Sequence, residues 1–464
     1  MKTRLPVVQE QASSIQSDGS RNFVHPADVS GRFTRLRYVF FAVLIVVYIA
    51  LPFIQIGGHP AVFLDVAARK FYLFGGTFNA QDFWLVFFLL SGAGLALIVV
   101  TTLWGRVWCG YACPQTVFLE GIYRRIERWI EGPRAERLRR NAARVSWSKV
   151  WRKTLKHGLF ALVSVVLAHF FLSYFVSLPS LFAMIQQRPT AHIEAFVWMA
   201  AMSGILYFNF AWFREQLCLV VCPYGRLQSA MIDSDSVIIG YDVGRGEPRG
   251  KVSDPNAGDC IACNRCVVVC PTGIDIRNGL QMECIGCAAC IDACDEIMRK
   301  VDRPEGLIRY DTQRVFAGEP PRRRRRSRLV LYAGLTLAWL LVAAVAFGSR
   351  TDFEANVLRP TGAPYSVVDG AVRNPLNIHL VNKRGVPAVF RLAPAQDDGP
   401  LHYVFPLPRV ELRSLSGQYV PVLVSVPTAD LKPGLRAAIR ISVEGEDGDA
   451  RVVTAPIIGP RTAH

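Results

Sequence analysis

Eight of the twelve cysteines fall into two runs, Cys260, Cys263, Cys266 and Cys270 followed by Pro271, then Cys284, Cys287, Cys290 and Cys294. Each run has the spacing C-x2-C-x2-C-x3-C. Three thiolates on one tight loop hold three irons of a cubane, and the last cysteine of each run reaches the other cluster. That rule assigns Cys260, Cys263, Cys266 and Cys294 to one [4Fe-4S] cluster, and Cys284, Cys287, Cys290 and Cys270 to the second. The chemistry implied is storage and transfer of single electrons. The bland alternative is a pair of zinc knuckles. Zinc sites usually close on two C-x2-C pairs set further apart, a pattern that two repeated runs of four fit poorly.

The other four cysteines form two similar pairs, Trp108-Cys109-Gly110-Tyr111-Ala112-Cys113-Pro114 and Leu217-Cys218-Leu219-Val220-Val221-Cys222-Pro223. Each pair follows an apolar run. Four-residue spacing puts both thiols on one side of a helical turn, and the proline discourages the helix from continuing past the second cysteine. Side by side, two such ends would offer four sulfurs at a membrane surface. Sulfur-rich sites favour Cu(I), zinc or an iron-sulfur cluster, and spacing does not choose among copper, a third cluster or another metal. Free cysteine also packs as a small hydrophobe, but two pairs at equivalent depth, each followed by proline, favour a redox or metal role.

Arg106 and Arg214 stand near these pairs, where they would offset thiolate charge or simply mark a cytoplasmic boundary. Trp104, Trp108 and Trp212 read as interfacial aromatics. His157 and His169 share one apolar run about 18 Å apart along a helix axis, too far to hold one metal, and no other span offers a facing histidine for haem. His169, inside the apolar run, is a candidate transient copper or proton site. His59 and His192 are weaker candidates, and His379 and His402 are too isolated to argue a metal site.

The elements that must position these groups are largely apolar. The chain has 464 residues, 51% of them hydrophobic, and a mean hydropathy of +0.24, which reads as a membrane protein of several domains. Runs near Tyr38–Ile56, Phe83–Leu103, Leu159–Leu178, Ile193–Phe213 and Leu329–Phe347 are long enough to cross a hydrocarbon layer of about 30 Å. The formal charge of +16 gathers beside these runs and so reads as a topology signal, not as a nucleic-acid face. Basic residues crowd the N-terminal approach (Arg21, Arg32, Arg35, Arg37), the connection 104–154 (Arg124, Arg125, Arg128, Arg137, Arg139, Arg140) and the approach to the last run (Arg322 to Arg326). Connections 57–82 and 179–192 carry only Arg69, Lys70 and Arg188.

The layout expected is a cytoplasmic tail 1–37, four spans within 38–213 with the cytoplasmic connection 104–154, a cytoplasmic ferredoxin-like segment 214–328, a fifth span 329–347 and an outer domain 348–464. Residues 1–25 are rich in Ser and Gln and read as disordered. The first 37 residues lack a signal peptide's cleavage pattern, so the first run is expected to stay as an anchor. The grouped cysteines suit a reducing compartment and metal ligation, not a disulfide framework. After Phe347, short segments rich in Val, Ile and Leu, separated by Gly, Pro, Asp and Asn, read as an antiparallel sandwich. The segments lie near Asn377–Asn382, Ala388–Leu392, Tyr403–Phe405, Val410–Leu412, Tyr419–Val426, Leu435–Val443 and Arg451–Ile457.

The order of these motifs, with Val29-Ser30-Gly31-Arg32-Phe33 ahead of the first span, resembles the cytochrome oxidase accessory protein family called CcoG, FixG or RdxA over about residues 25–460. The resemblance implies a multi-pass polyferredoxin of the bacterial inner membrane that reduces Cu(II) to Cu(I) and supports assembly of cbb3-type cytochrome c oxidase. The fold class implied is a multidomain membrane protein: five α-helical spans, an inserted bacterial-type 2[4Fe-4S] ferredoxin-like α+β domain, and a periplasmic all-β immunoglobulin-like sandwich. Cluster ligands carry over onto Cys260, Cys263, Cys266, Cys270, Cys284, Cys287, Cys290 and Cys294. The membrane-edge motifs carry over onto Cys109, Cys113, Cys218 and Cys222 as the catalytic thiols. Partners implied are membrane lipid, oxidase subunits or copper-delivery proteins, and a cytoplasmic electron donor. Asp295 departs from the ferredoxin pattern, where proline commonly follows the last cysteine. Two other readings stand beside this one: a quinol-linked relay to a separate reductase, and a redox-sensing assembly scaffold.

Overall fold

The structure is a computed structural model that describes residues 23–79, 82, 84–320, 327–349, 351–395, 399–445 and 450–460. The expectations for Arg322 to Arg326 and for most of the Ser/Gln-rich tail fall outside these residues. The chain divides into two compact units, Met1–Asp65 with Val86–Val342, and Val66–Leu85 with Ala343–His464.

Five helices are long and apolar enough to cross a membrane: Arg32–Ala50, Leu85–Trp104, Trp147–Leu172, Pro189–Phe213 and Val330–Gly348. The first, α1 (Arg32–Ala50), begins inside the segment expected to be a tail. Its cap explains the difference. Asp292 accepts from Phe33 N at 3.2 Å, Thr34 N at 2.7 Å and Thr34 Oγ1 at 2.6 Å, filling the role that a local Ser or Asp usually plays. Hydropathy does not register a cap supplied from so far along the chain. Between the first two long helices lie β1 (Gln55–Ile56) paired with β2 (His59–Pro60), then β3 (Val62–Asp65), and the hairpin of β4 (Lys70–Leu73) with β5 (Gly76–Asn79). Strands this short show too little alternation to be read from sequence.

After α2 (Leu85–Trp104) the connection is helical rather than loose: α3 (Val107–Tyr111), α4 (Pro114–Phe118), α5 (Arg124–Glu131) and α6 (Arg134–Ala142). The third long helix, α7 (Trp147–Leu172), is capped by Ser146. It starts earlier and ends sooner than expected: turns follow Leu172, and Pro179, which has no N–H to continue a helix, sits in the first turn of α8 (Leu178–Gln186). The fourth, α9 (Ile193–Phe208), passes into π-helical turns at Asn209–Phe213 and Leu217–Val221, and a third π turn spans Leu119–Tyr123.

Next come α10 (Pro223–Met231), β6 (Val237–Tyr241), α11 (Val243–Gly246), α12 (Arg265–Val268), α13 (Ala289–Lys300), β7 (Ile308–Thr312) and α14 (Gln313–Phe316). Strands β6 and β7 pair antiparallel with Ile239 opposite Tyr310. Ile239, Tyr241, Ile276, Ile291, Met298 and Leu307 form a core shared with Cys260 and Cys266. Helix α15 (Ser327–Gly348) lies against α2: Trp339 Nε1 donates to Ser91 Oγ at 2.9 Å, and its ring occupies the space that a side chain at position 92 would need.

The second unit contains a two-sheet sandwich. One sheet orders β12 (His402–Val404), β14 (Gly417–Pro427), β10 (Ala371–Asn382) and β8 (Phe353–Leu358), with β9 (Ser366–Val368) also on β10. The other orders β13 (Arg409–Leu412), β11 (Ala388–Pro394), β15 (Arg436–Val443) and β16 (Ala450–Pro456). Alternate residues such as Ile378, Leu380, Val422, Val424, Ile439 and Ile441 face inward beside Phe353 and Phe390, the period-two pattern of strands with one buried face. Strands β8 and β9 lay outside the expected set.

Candidate metal centre

The two cysteine loops share a backbone device. Ala262 and Asn264 in the first loop, and Gly286 and Ala288 in the second, all have positive φ, between 54° and 67°. Left-handed residues spaced by two turn the backbone sharply in each loop, the kind of turn whose N–H groups suit anions such as sulfide and thiolate. Helices α12 and α13 then start directly from Asn264 and Ala288. Asn and Gly pay little for this conformation; the two alanines are held there by their surroundings.

These loops enclose two cavities. Cys260, Cys263, Cys266 and Cys294 line one, and Cys270, Cys284, Cys287 and Cys290 line the other, with Cys266 bordering both. The cavities are similar in size; Ile261, Ile297, Met298, Leu307 and Ile308 wall the first, with Arg265 and Arg277 beside them, and Ile239, Ile274, Ile276 and Ile285 wall the second. Burial pushes the Cys266 thiol up to about 11, and those of Cys284 and Cys294 up to about 12. Burial also raises Cys290 well above the usual thiol range, and the thiols of Cys287, Cys284 and Cys270 add to it. Such thiols ionise only when a cation enters among them. A set of four soft donors around a cavity with largely apolar walls fits an iron-sulfide cubane in each. Asp295, the departure from the ferredoxin pattern, accepts from Gly306 N at 2.9 Å and so anchors the turn leading into β7.

The other four cysteines stand beside the second cavity. Cys113 and Cys222 occupy equivalent positions, each the N-cap residue of a helix whose first residue is proline, α4 and α10. Proline at that position needs no N–H partner and has the right φ, so each C-x3-C-P pair is an interrupted helix, not one continuous turn. Cys109 sits on α3, and Cys218 on the π turn Leu217–Val221. Burial pushes Cys109 up to about 12, with Cys113 adding to the shift, and it pushes Cys218 higher, with Cys113, Cys109 and Cys222 adding. These mutual effects place all four thiols within electrostatic reach of one another. Among the described residues no three Cys, His, Asp or Glu side chains are drawn together around a single ion.

The contact between the two sulfur groups is close. A Cβ on Gly110 would lie 2.9 Å from the carbonyl oxygens of Ile285 and Gly286, and 3.0 Å from Cys287 Cα. Cys109 packs with Cys287, Ile285 and Ala289, and its thiol donates to Gln228 Oε1 at 3.3 Å. Arg106 ties the pieces together, donating to Gly225 O at 2.8 Å, Cys284 O at 3.3 Å and Met282 O. Arg214 does something else. It pairs with Glu127 at 3.1 Å, and Glu127 also meets Lys156 and Arg137, each at 3.4 Å. Burial alone would raise the Glu127 carboxyl; Arg214, Lys156 and Arg137 outweigh it and hold it well below the usual range.

The histidines stay apart from this sulfur centre. His157 bonds Tyr207 Oη at 2.9 Å, and His169 Nδ1 donates to Val165 O at 2.8 Å. His169 and His192 do share an apolar cavity with Met184 and Met199.

Family profiles match three parts of the chain: a 4Fe-4S binding domain over residues 85–133, a 4Fe-4S dicluster domain over 213–313, and the Ig-like fold at the C-terminus of FixG over 343–458. Protein RdxA of Cereibacter sphaeroides is 38% identical over 389 residues, 80% of this chain and 82% of its own. Nitrogen fixation protein FixG of Rhizobium meliloti is 35% identical over 408 residues, 78% of this chain and 77% of its own. Protein RdxB of Cereibacter sphaeroides is 37% identical over 395 residues, covering 81% and 82%. A crystal structure of a FixG-related protein from Vibrio parahaemolyticus aligns with 24% of this chain at 13% identity and a TM-score of 0.20, too slight a likeness to bear on the fold.

Proposed function

The chain belongs to the FixG/RdxA family of iron-sulfur proteins with two [4Fe-4S] clusters and an Ig-like C-terminal domain, and from that premise we propose that it reduces Cu(II) to Cu(I) at the membrane edge in support of cbb3-type oxidase assembly. Cys260, Cys263, Cys266 and Cys294 hold one cluster, and Cys270, Cys284, Cys287 and Cys290 hold the other. When bound, the clusters supply one-electron storage and transfer. Cys109, Cys113, Cys218 and Cys222 receive the substrate ion; one electron converts Cu(II) to Cu(I), whose softness matches sulfur. Arg106 holds the receiving loop on the Cys284 loop, and Gly110 keeps the gap between them free of side chain. That junction, Gly110 against Ile285, Gly286 and Cys287, is the observation that carries the proposal.

In this reading the long helices span the bacterial inner membrane, the ferredoxin-like α+β segment faces the cytoplasm and the sandwich faces the periplasm. The basic connections support that orientation. So does a contact within the second unit: Lys383 of the sandwich pairs with Asp82, in the connection between the first two spans, at 2.8 Å. That contact supports placing the two segments on one side.

A second reading has its own support. The 4Fe-4S binding profile covers Cys109 and Cys113, so the four membrane-edge thiols would instead hold a third cluster. Iron counts and electron paramagnetic resonance on anaerobically purified protein separate the two. Replacing all four cysteines with Ser should abolish cupric-reductase activity while leaving the iron content at two clusters. Unchanged activity removes these thiols from the mechanism, and a loss of one cluster's iron favours the second reading.

A further inference from the structure

A fourth cavity lies between α1, α5, α6 and the loop carrying Cys270, and its walls are of a different kind. Arg37, Arg124, Arg125, Arg128 and Arg137 all line a space of about 90 Å³, against only two carboxylates, Asp28 and Glu120. Arg37, Arg124 and Arg137 are 4%, 7% and 3% exposed. Each has a buried nitrogen with no hydrogen-bond partner among the described residues: Arg37 Nη2, Arg124 Nε and Arg137 Nε. Other nitrogens of the three are bonded to protein groups. Arg37 Nε donates to Gly110 O, Arg124 to Glu120, Glu215 and Pro271 O, and Arg137 to Glu127 and Pro26 O. Buried guanidinium donors left without acceptors are costly, and three of them around one cavity form an incomplete site.

We infer that this cavity binds a phosphate oxyanion, either the headgroup phosphate of an anionic phospholipid or free phosphate. Planar guanidinium forks match phosphate oxygens with paired charge-assisted hydrogen bonds. The cavity is far smaller than the roughly 300–1,000 Å³ that encloses a whole small molecule, so it takes a phosphate group and leaves the rest of any ligand outside. Arg125 and Arg128 form the rim: Arg125 stacks on Tyr38 at 3.9 Å, and Arg128 meets Asp28 at 3.1 Å while half exposed. Trp129, Trp147 and Trp151, on α5 and α7, are exposed, as tryptophans are at headgroup level. Basic pockets between helices on the inner face of a membrane hold anionic headgroups. The wall also includes Val269, Pro271 and Ala289, next to Cys270 and Cys290, so a bound phosphate would stand beside the second cluster's loops.

The test uses full-length protein purified anaerobically in phosphate-free detergent, compared with an R125Q/R128Q variant and with R139Q/R144Q, which removes equal charge outside the cavity. Phosphorus retained per chain is counted, and the melting temperature is followed with inorganic phosphate and then in nanodiscs of phosphatidylglycerol or phosphatidylcholine. Wild type and R139Q/R144Q should retain or bind the anion and melt higher with it, and R125Q/R128Q should bind about tenfold or more weakly. A rise with inorganic phosphate alone identifies a free-anion site; a rise only with phosphatidylglycerol identifies a headgroup site. No retained phosphorus and no rise with either ligand in wild type overturns the inference, as does equal binding by R125Q/R128Q. None of these readouts depends on copper, so they stand or fall apart from the reductase reading.

Discussion

Asp292 stands between Cys290 and Cys294 and caps a helix that begins more than two hundred residues earlier. Gly31 makes this possible: any Cβ there would overlap the Asp292 carboxylate, which gives the Val29-Ser30-Gly31-Arg32-Phe33 stretch a packing reason. Gly31→Ala should therefore push Asp292 aside and lower both melting temperature and retained iron. Asp292→Ala should cost about 1 kcal/mol or more in stability, read by thermal unfolding. His25 gives a pH prediction. Burial lowers its pKa from 6.5 to about 4, and Glu127 only partly opposes the shift. The folded state then refuses a proton that the unfolded chain accepts below pH 6.5, so this contribution is complete above 6.5 and is lost as pH falls toward 4. The melting temperature should drop across that window, and His25→Gln should flatten part of the drop.

At the scale of elements, the junction of α3 with the second cysteine loop rests on two glycines. Gly110 approaches the Ile285–Cys287 backbone, and a Cβ on Gly286 would meet the Arg106 backbone at 3.0 Å. Gly110→Val should wedge the loops apart, slowing copper reduction severalfold while the iron content stays unchanged. Equal rates would disconnect this junction from electron flow. The π turn Leu217–Val221 carries Cys218, and those at Leu119–Tyr123 and Asn209–Phe213 pack on each other through the stacked rings of Tyr123 and Phe210; π turns are frequent at functional sites. None was legible in sequence, because a π turn results from how neighbouring segments pack. The cores of the long helices were legible from their apolar runs. Their ends were not, since a distant carboxylate sets the start of α1 and turns follow Leu172 at the end of α7.

At the scale of the whole molecule, the two units carry different kinds of stability. The first encloses the sulfur centres, and the second has a core of Phe353, Phe390 and inward-facing Val, Leu and Ile with no cysteine. Iron chelation should therefore shift one calorimetric transition and leave the other in place; a single merged shift would contradict this independence. Within the second unit, Lys383 is buried with Asp82 and Glu354, at 2.8 and 3.1 Å. Lys383→Ala leaves the buried Asp82 carboxylate without that cation and should cost roughly 3–5 kcal/mol, confined to the second transition.

The grouping of the cysteines, the long apolar helices and most sandwich strands could be read from sequence, because each is written in spacing or periodicity over a short stretch. The meeting of Cys109, Cys113, Cys218 and Cys222 beside the Cys284–Cys290 loop came only from tertiary structure, as did the cap from Asp292 and the arginine-lined cavity. Each joins segments separated by a hundred residues or more, held by packing and charge, and neither spacing nor hydropathy encodes such contacts.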